Sequence, residues 1–328
     1  MAKKEKHRQG SLHSQMRRTV KVHTRDLSNH TRKSYMRAVA NFERWRKEHD
    51  WSSADIRRDP RAAVEAWRDD MLDDGLSVGT IHTYAAGICS ALQIPMDKIT
   101  RSGNSSDKRK SLGLSRRSQR AMEDPKNADI VRFQRMVGGR RAALQRLTGS
   151  DFVEAGGECF VRFIGDKGGK DQLQKILPED EENVRAFFES VGPDEQLFPE
   201  PFHRDLDLHR LRAEHARRVY AYYEQICSTA EGRAKVREQL WRRYTDPQLG
   251  CKAYRLAKQQ GDTEAMRALR IRFAAEMADG PYHLRGANRR VALERGLPTS
   301  YDRLSILAAS VFALSHWRTD VAISAYLL

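Results

Sequence analysis

The 328-residue chain carries 59 Lys and Arg against 44 Asp and Glu, a formal net charge of +15 that points to a polyanionic partner, nucleic acid first. With 39% hydrophobic and 31% charged residues it has the composition of a globular protein with room for two or three cores, which excludes fibrous and wholly disordered classes. Its longest apolar run, Ile306 to Leu314, is too short to span a bilayer, and its four scattered cysteines contain no CxxC pair, so no membrane anchor, disulfide framework or zinc site is expected.

The opening MAKKEKHRQG has charge but no apolar segment behind it, so a secretory signal is not expected and the chain is assigned to the cytoplasm, associated with the nucleoid. Residues 1–24, rich in Lys and Arg and poor in apolar side chains, are expected to form a flexible basic arm. From Ser28 the pattern changes. Tyr35, Val39, Phe42 and Trp45 recur at helical spacing behind a Ser28 or Asn29 cap; Val64, Trp67 and Met71 line a second helix; Ile81, Tyr84, Ile88 and Leu92 line a third, capped by Ser77. Residues 25–100 therefore read as a helical bundle. Residues 101–124 hold Lys108, Arg109, Lys110, Arg116 and Arg117 with little to bury, and read as a basic linker whose charges lie against phosphates or are merely solvated.

A second domain, 125–328, opens with a helix through Ile130, Phe133, Met136 and Val137 that ends at Gly138-Gly139, before Arg140 and Arg141. Phe160–Ile164 and Leu173–Leu177 read as the strands of a hairpin turned by Asp166-Lys167-Gly168-Gly169-Lys170. Beyond Pro178 helices are predicted at 179–191, 207–226, 232–245, 262–278, 284–295 and 301–315. The fold class is thus mainly α with a small antiparallel β-hairpin or sheet. No HExxH motif, acidic triad or Walker loop is visible, so a metal-free route without a cofactor is favoured.

Breaking a phosphodiester by that route takes an oxygen nucleophile, cations around the phosphate and a proton donor for the leaving oxygen. Four segments offer these in order: GGRRAALQRLTGSDF (138–152), DKGGKDQLQKILP (166–178), LDLHRLRAEHARRVY (206–220) and LSHWRTDVAISAYL (314–327). Together they resemble the conserved boxes of the tyrosine recombinases, the phage-integrase family. The resemblance implies Arg140, Lys167, His209, Arg212 and His316 around a DNA phosphate and Tyr326 as nucleophile, with Lys170 an alternative to Lys167. It also implies a 25–100 core-site-binding domain, a catalytic domain from 125, cleavage through a 3′-phosphotyrosyl link, and a homotetramer on two double-stranded DNA sites, aided by directionality factors, that integrates or excises a mobile element.

The sequence departs from the family's pattern in several places. Arg212 and His316 are widely separated, so an insertion at about 228–280 is expected, projecting as a charged helical hairpin. YHLRGANRRVALERG (282–296) imitates the arginine box too, which makes Arg285 a rival to Arg212 or an auxiliary phosphate ligand. Tyr301-Asp302-Arg303 resembles a segment found in integrases of mobile elements with a comparable insertion. Ala143 stands where the first box often has an acidic residue, and Leu328 closes the chain where many relatives continue with a helix that docks on a neighbouring protomer. Tyr220, Tyr222 and Tyr301 are further tyrosines, and a type IB topoisomerase, a catalytically silent DNA-binding regulator and an RNA-binding protein are the competing functions.

Overall fold

The apolar spacing of the first hundred residues is realised as a packed set of helices in the computed structural model, which describes residues 10–100, 115–166, 170–314, 317 and 319–328. These are α1 (Leu12–His23), α2 (Asn29–Glu48), α3 (Ser53–Arg58), α4 (Pro60–Asp73) and α5 (Val78–Leu92). They belong to the first of two compact units, Met1–Ser111 and Leu112–Leu328. Ser28 and Ser77 cap α2 and α5 as expected, each side chain accepting an amide hydrogen from the first turn. Val39, Phe42, Val64 and Ile88 are fully buried, and each such side chain contributes about 1.5–3 kcal/mol on leaving water. Phe42 meets Trp67 edge-on at 5.2 Å, while the Trp45 indole N–H donates to Asp70 at 2.5 Å.

Residues 12–23 are not a flexible arm. Leu12, Met16 and Val20, spaced by four, enter the same core from α1, and Ser11 caps its start. The apolar stripe is a single residue wide and diluted by cations, which is why composition concealed it. Arg17, Arg18 and Lys21 remain exposed on the outer side of α1. Residues 1–9 lie outside the described residues, as do Lys108, Arg109 and Lys110.

The linker expectation also fails where the chain is described. α6 (Arg116–Glu123) is a helix that buries Ala121 against the second core and leaves Arg116 and Arg117 exposed. It is followed by α7 (Ala128–Val137) and the short α8 (Arg141–Leu144). A three-stranded antiparallel sheet comes next: β1 (Phe152–Ala155), β2 (Glu158–Asp166) and β3 (Lys170–Lys175), in the order β1-β2-β3. The hairpin β2–β3 was legible, with Phe160 opposite Lys175 and Asp166 opposite Lys170; β1, only four residues long, was not.

The remaining elements are α9 (Glu181–Glu189), α10 (Leu208–Ile226), α11 (Ala230–Thr245), α12 (Lys252–Gln259), α13 (Thr263–Glu276), β4 (Pro281–His283), α14 (Gly286–Glu294), β5 (Ser300–Asp302), α15 (Arg303–Leu314) and α16 (Thr319–Ala322), with Ile323–Leu327 winding as a π-helix. The insertion does not project as a solvated hairpin. Val236, Leu240, Tyr244, Tyr254, Phe273 and Met277 join the core built around α15, and the Tyr244 and Phe273 rings stack at 3.9 Å. Every residue of α15 from Leu304 to Leu314 is buried. β4 and β5 pair antiparallel, Tyr282 opposite Tyr301. Among the described residues no helix is long and apolar enough to cross a membrane.

Candidate active site around Tyr326

The site is organised by the turn after α7. Gly138 ends that helix at φ +67°, a left-handed conformation that glycine adopts without cost, and His215 of α10 packs directly over it. A side-chain methyl there would lie 2.8 Å from His215 Cγ, so the glycine is required twice, by backbone and by space. His215 is wholly buried, its Nδ1 set 3.2 Å from the Arg135 carbonyl. Burial, reinforced by the nearby Arg212 charge, pushes its pKa down to about 3, so it is a neutral ring.

Two buried amides tie the surrounding elements together. Gln134 Nε2 donates to the carbonyls of Gly139 and Leu208, both at 2.8 Å, joining α7 to the start of α10. Gln174 Nε2 donates to Val137 at 2.8 Å and to Ala313 at 2.5 Å, joining β3 to the ends of α7 and α15.

Arg212 occupies the centre, 2% exposed. Its Nη1 donates to the Gly138 carbonyl, its Nη2 to the Leu314 carbonyl at 3.0 Å, and its Nε to the Tyr326 hydroxyl at 3.2 Å. The guanidinium carbon also lies 5.5 Å from the centre of the Tyr326 ring. Burial lowers the Arg212 pKa; the phenol acts against that shift and the charge of Arg140 adds to it, yet a guanidinium stays protonated across the working range. Each terminal nitrogen keeps a second N–H beyond the one given to a carbonyl.

Tyr326 sits in the closing π-helix, whose i→i+5 pattern is visible in the Leu328 N–H to Ile323 carbonyl bond of 3.1 Å. Its side chain is buried, and the ring of His209, an exposed residue in the first turn of α10, lies 5.3 Å from its own, tilted by 47°. Arg217 Nη1 holds the Tyr326 carbonyl at 3.1 Å, and Arg295 bonds the Leu328 carbonyl. Asp207 caps α10 by accepting from the Arg210 N–H at 3.0 Å, which fixes the turn that presents His209.

Arg140, one-fifth exposed at its side chain, stands at the extended residue before α8. Its Nη1 donates to Asp166 of β2 and, at 3.4 Å, to Gln172 of β3. The adjacent Arg141 has a different task. It clamps the chain before α10 by donating to the carbonyls of His203 at 3.2 Å and Leu206 at 2.5 Å.

The structure therefore brings Arg140, His209, Arg212 and Tyr326 together, whereas Lys167 and His316 lie outside the described residues. Arg285 is exposed at the start of α14, and among the described residues no hydrogen bond, ion pair or ring contact joins it to Tyr326. The other candidate tyrosines are engaged elsewhere. Tyr220 donates to Glu224 at 2.7 Å, and burial raises the pKa values of Tyr220, Tyr222 and Tyr301. Asp302 caps α15 through Ser305, accepting its N–H at 2.9 Å and its hydroxyl at 2.6 Å. Sequence reading missed Asp166, Gln134, Gln174 and His215. Only Asp166 carried a signal, as one of the two carboxylates, with Asp171, that flank the KGGK turn.

Chemically, a phenol hydrogen-bonded to a guanidinium, with an imidazole ring against it, is an arrangement in which negative charge on the phenolic oxygen would be stabilised. No family model matches the sequence, and no curated protein is significantly similar to it.

Proposed function

We propose that this chain is a site-specific DNA recombinase of the tyrosine type, which cuts and rejoins DNA through a covalent 3′-phosphotyrosyl intermediate without metal or cofactor. The observation that carries this reading is the hydrogen bond from Arg212 Nε to the Tyr326 hydroxyl, with Arg140 charged close by and His209 against the phenol ring. In the proposed reaction Tyr326 attacks the scissile phosphorus, its proton passing to His209. The remaining N–H groups of Arg212 and the fork of Arg140 take up charge on the non-bridging oxygens. Lys167, next in sequence to the Arg140 partner Asp166, protonates the departing 5′ oxygen, and His316 donates to the phosphate. Because the phosphotyrosyl link retains the energy of the phosphodiester it replaces, a second strand's 5′ hydroxyl attacks the phosphorus, expels Tyr326 and reverses the step without ATP.

Duplex DNA is the proposed partner, bound by a homotetramer at two sites in the cytoplasm with directionality factors assisting. In the first unit the exposed Arg17, Arg18 and Lys21 of α1 supply phosphate contacts. A second reading, a DNA-binding regulator without strand cleavage, draws on the burial of Arg212 and the main-chain carbonyls that occupy both its terminal nitrogens. The test is covalent capture. Nicked duplexes of randomised sequence, whose cut product diffuses away, should accumulate a protein adduct resistant to denaturation. Tyr326→Phe should bind DNA as before and form no adduct. An adduct in that variant would overturn the assignment, and binding with no adduct from either protein would favour the regulator.

A further inference from the structure

The insertion that departs from the family pattern carries a cavity of about 510 Å³, within the range of small-molecule sites. It opens between β3, the loop preceding α12, the start of α12 and the buried side of α15. Arg243, Lys252 and Arg255 all line it, and none of the three has a carboxylate within ion-pair distance among the described residues. Arg243 is held in place by donating to the Leu173 carbonyl at 2.8 Å, and burial lowers its pKa, with Asp246 opposing. That carboxylate is folded onto its own loop, accepting the N–H groups of Gln248 at 2.8 Å and Leu249 at 2.6 Å. Asp171, the one acidic residue among the described residues lining the cavity, is engaged through one oxygen, which accepts the Gly165 N–H at 2.9 Å.

Two further features mark the space as built for an anion. The Nε of Arg255 is buried with no hydrogen-bond partner, a costly state for a charged group unless an acceptor arrives. α12 begins at the same wall without a side-chain cap, so its first-turn N–H groups add positive potential there. The other walls are apolar or aromatic: Leu173, Val311 and the half-buried Trp317, whose ring is braced by Tyr244 at 5.4 Å and Phe273 at 5.8 Å. Cations beside a braced indole match a ligand that joins a phosphate to a flat ring.

We propose that this cavity binds the phosphate of a nucleotide, held by Lys252, Arg255 and Arg243, with the nucleobase against Trp317. The chemistry is shared by a free nucleotide and by an unstacked residue of a DNA strand. The inference does not depend on strand cleavage, since Tyr326 takes no part in the cavity.

Cys251 provides a probe in the unmodified chain. It lines the cavity and is partly exposed, whereas Cys89, Cys159 and Cys227 are buried. The rate of its alkylation by N-ethylmaleimide, read by mass spectrometry on the full chain, should fall about tenfold with thymidine 5′-monophosphate or a single-stranded oligodeoxynucleotide at about ten times the dissociation constant. Thymidine, which lacks the phosphate, should not protect. Protection by the mononucleotide supports a small-molecule site, and protection by the oligonucleotide alone supports a strand contact. Lys252→Gln with Arg255→Gln should raise the dissociation constant read from protection about ten- to a hundredfold, the worth of one charge-assisted hydrogen bond, and so largely abolish protection at the same ligand concentration. Failure of both phosphate compounds to protect, equal protection by thymidine, or undiminished protection in the double variant would overturn the proposal. Tyr326→Phe should leave protection intact, so a chain that forms the covalent adduct without nucleotide protection sinks this inference alone.

Discussion

Gly138→Ala tests how the candidate site is held. The residue sits at φ +67°, where a side chain costs about 1–2 kcal/mol. The added methyl would also lie 2.8 Å from His215 Cγ, and His215 has no exposed surface through which to retreat, an overpacking cost of about 1–3 kcal/mol. The second unit should therefore lose about 2–5 kcal/mol, which for a domain of this size lowers Tm by roughly 4–20 °C. Gly156→Ala is the matched control, because it has φ +61° with nothing within 4 Å of the added methyl and so carries the backbone cost alone. Differential scanning calorimetry of both variants separates the terms. If the two unfold at the same temperature, His215 does not press on this turn and the account of how Arg212 is seated fails.

The neutral state of His215 gives a pH signature. Its folded pKa of about 3 lies below the unfolded value near 6.5, so its contribution is intact above pH 6.5 and erodes as pH falls towards 3, by at most about 1.4 kcal/mol per pH unit. His215→Gln should flatten the slope of unfolding free energy between pH 6.5 and 4.5 measured by urea denaturation, and an unchanged slope would contradict the assignment. Gln174→Met keeps the volume but strands the Val137 and Ala313 carbonyls, so it should cost about 2–4 kcal/mol in the same assay, and a loss below about 0.5 kcal/mol would refute the bridging role. DNA affinity measured by fluorescence anisotropy should fall linearly in log Kd against log salt, through counterion release, and a salt-independent Kd would exclude the basic surfaces from binding.

The long helices could be read from the sequence because their apolar residues repeat at the helical period, as in Tyr35, Val39, Phe42 and Trp45. Other cues reached the buried α15, a continuous apolar run, and the β2–β3 hairpin, whose Gly-rich turn announces itself. Periodicity failed for α1, where Arg17, Arg18 and Lys21 equal in number the stripe of Leu12, Met16 and Val20; in the insertion it found the helices at 232–245 and 262–278 but not their burial, because Tyr244 and Phe273 are isolated aromatics until the two helices bring them together. The meeting of Arg212 with Tyr326 was anticipated only through the ordered motifs, since nothing in local pattern links residues so distant in the chain. The supports of that meeting were invisible for a different reason. Gln134, Gln174 and His215 act through main-chain carbonyls, which any sequence provides, so no complementary residue type advertises them.

The account stands most directly on where DNA becomes attached to the chain. Protein trapped on a nicked duplex, digested with protease and nuclease and sequenced by tandem mass spectrometry, should carry a nucleotide remnant on the C-terminal peptide at Tyr326. A remnant on any other residue, or a nick resealed with no protein-linked stage, would contradict it.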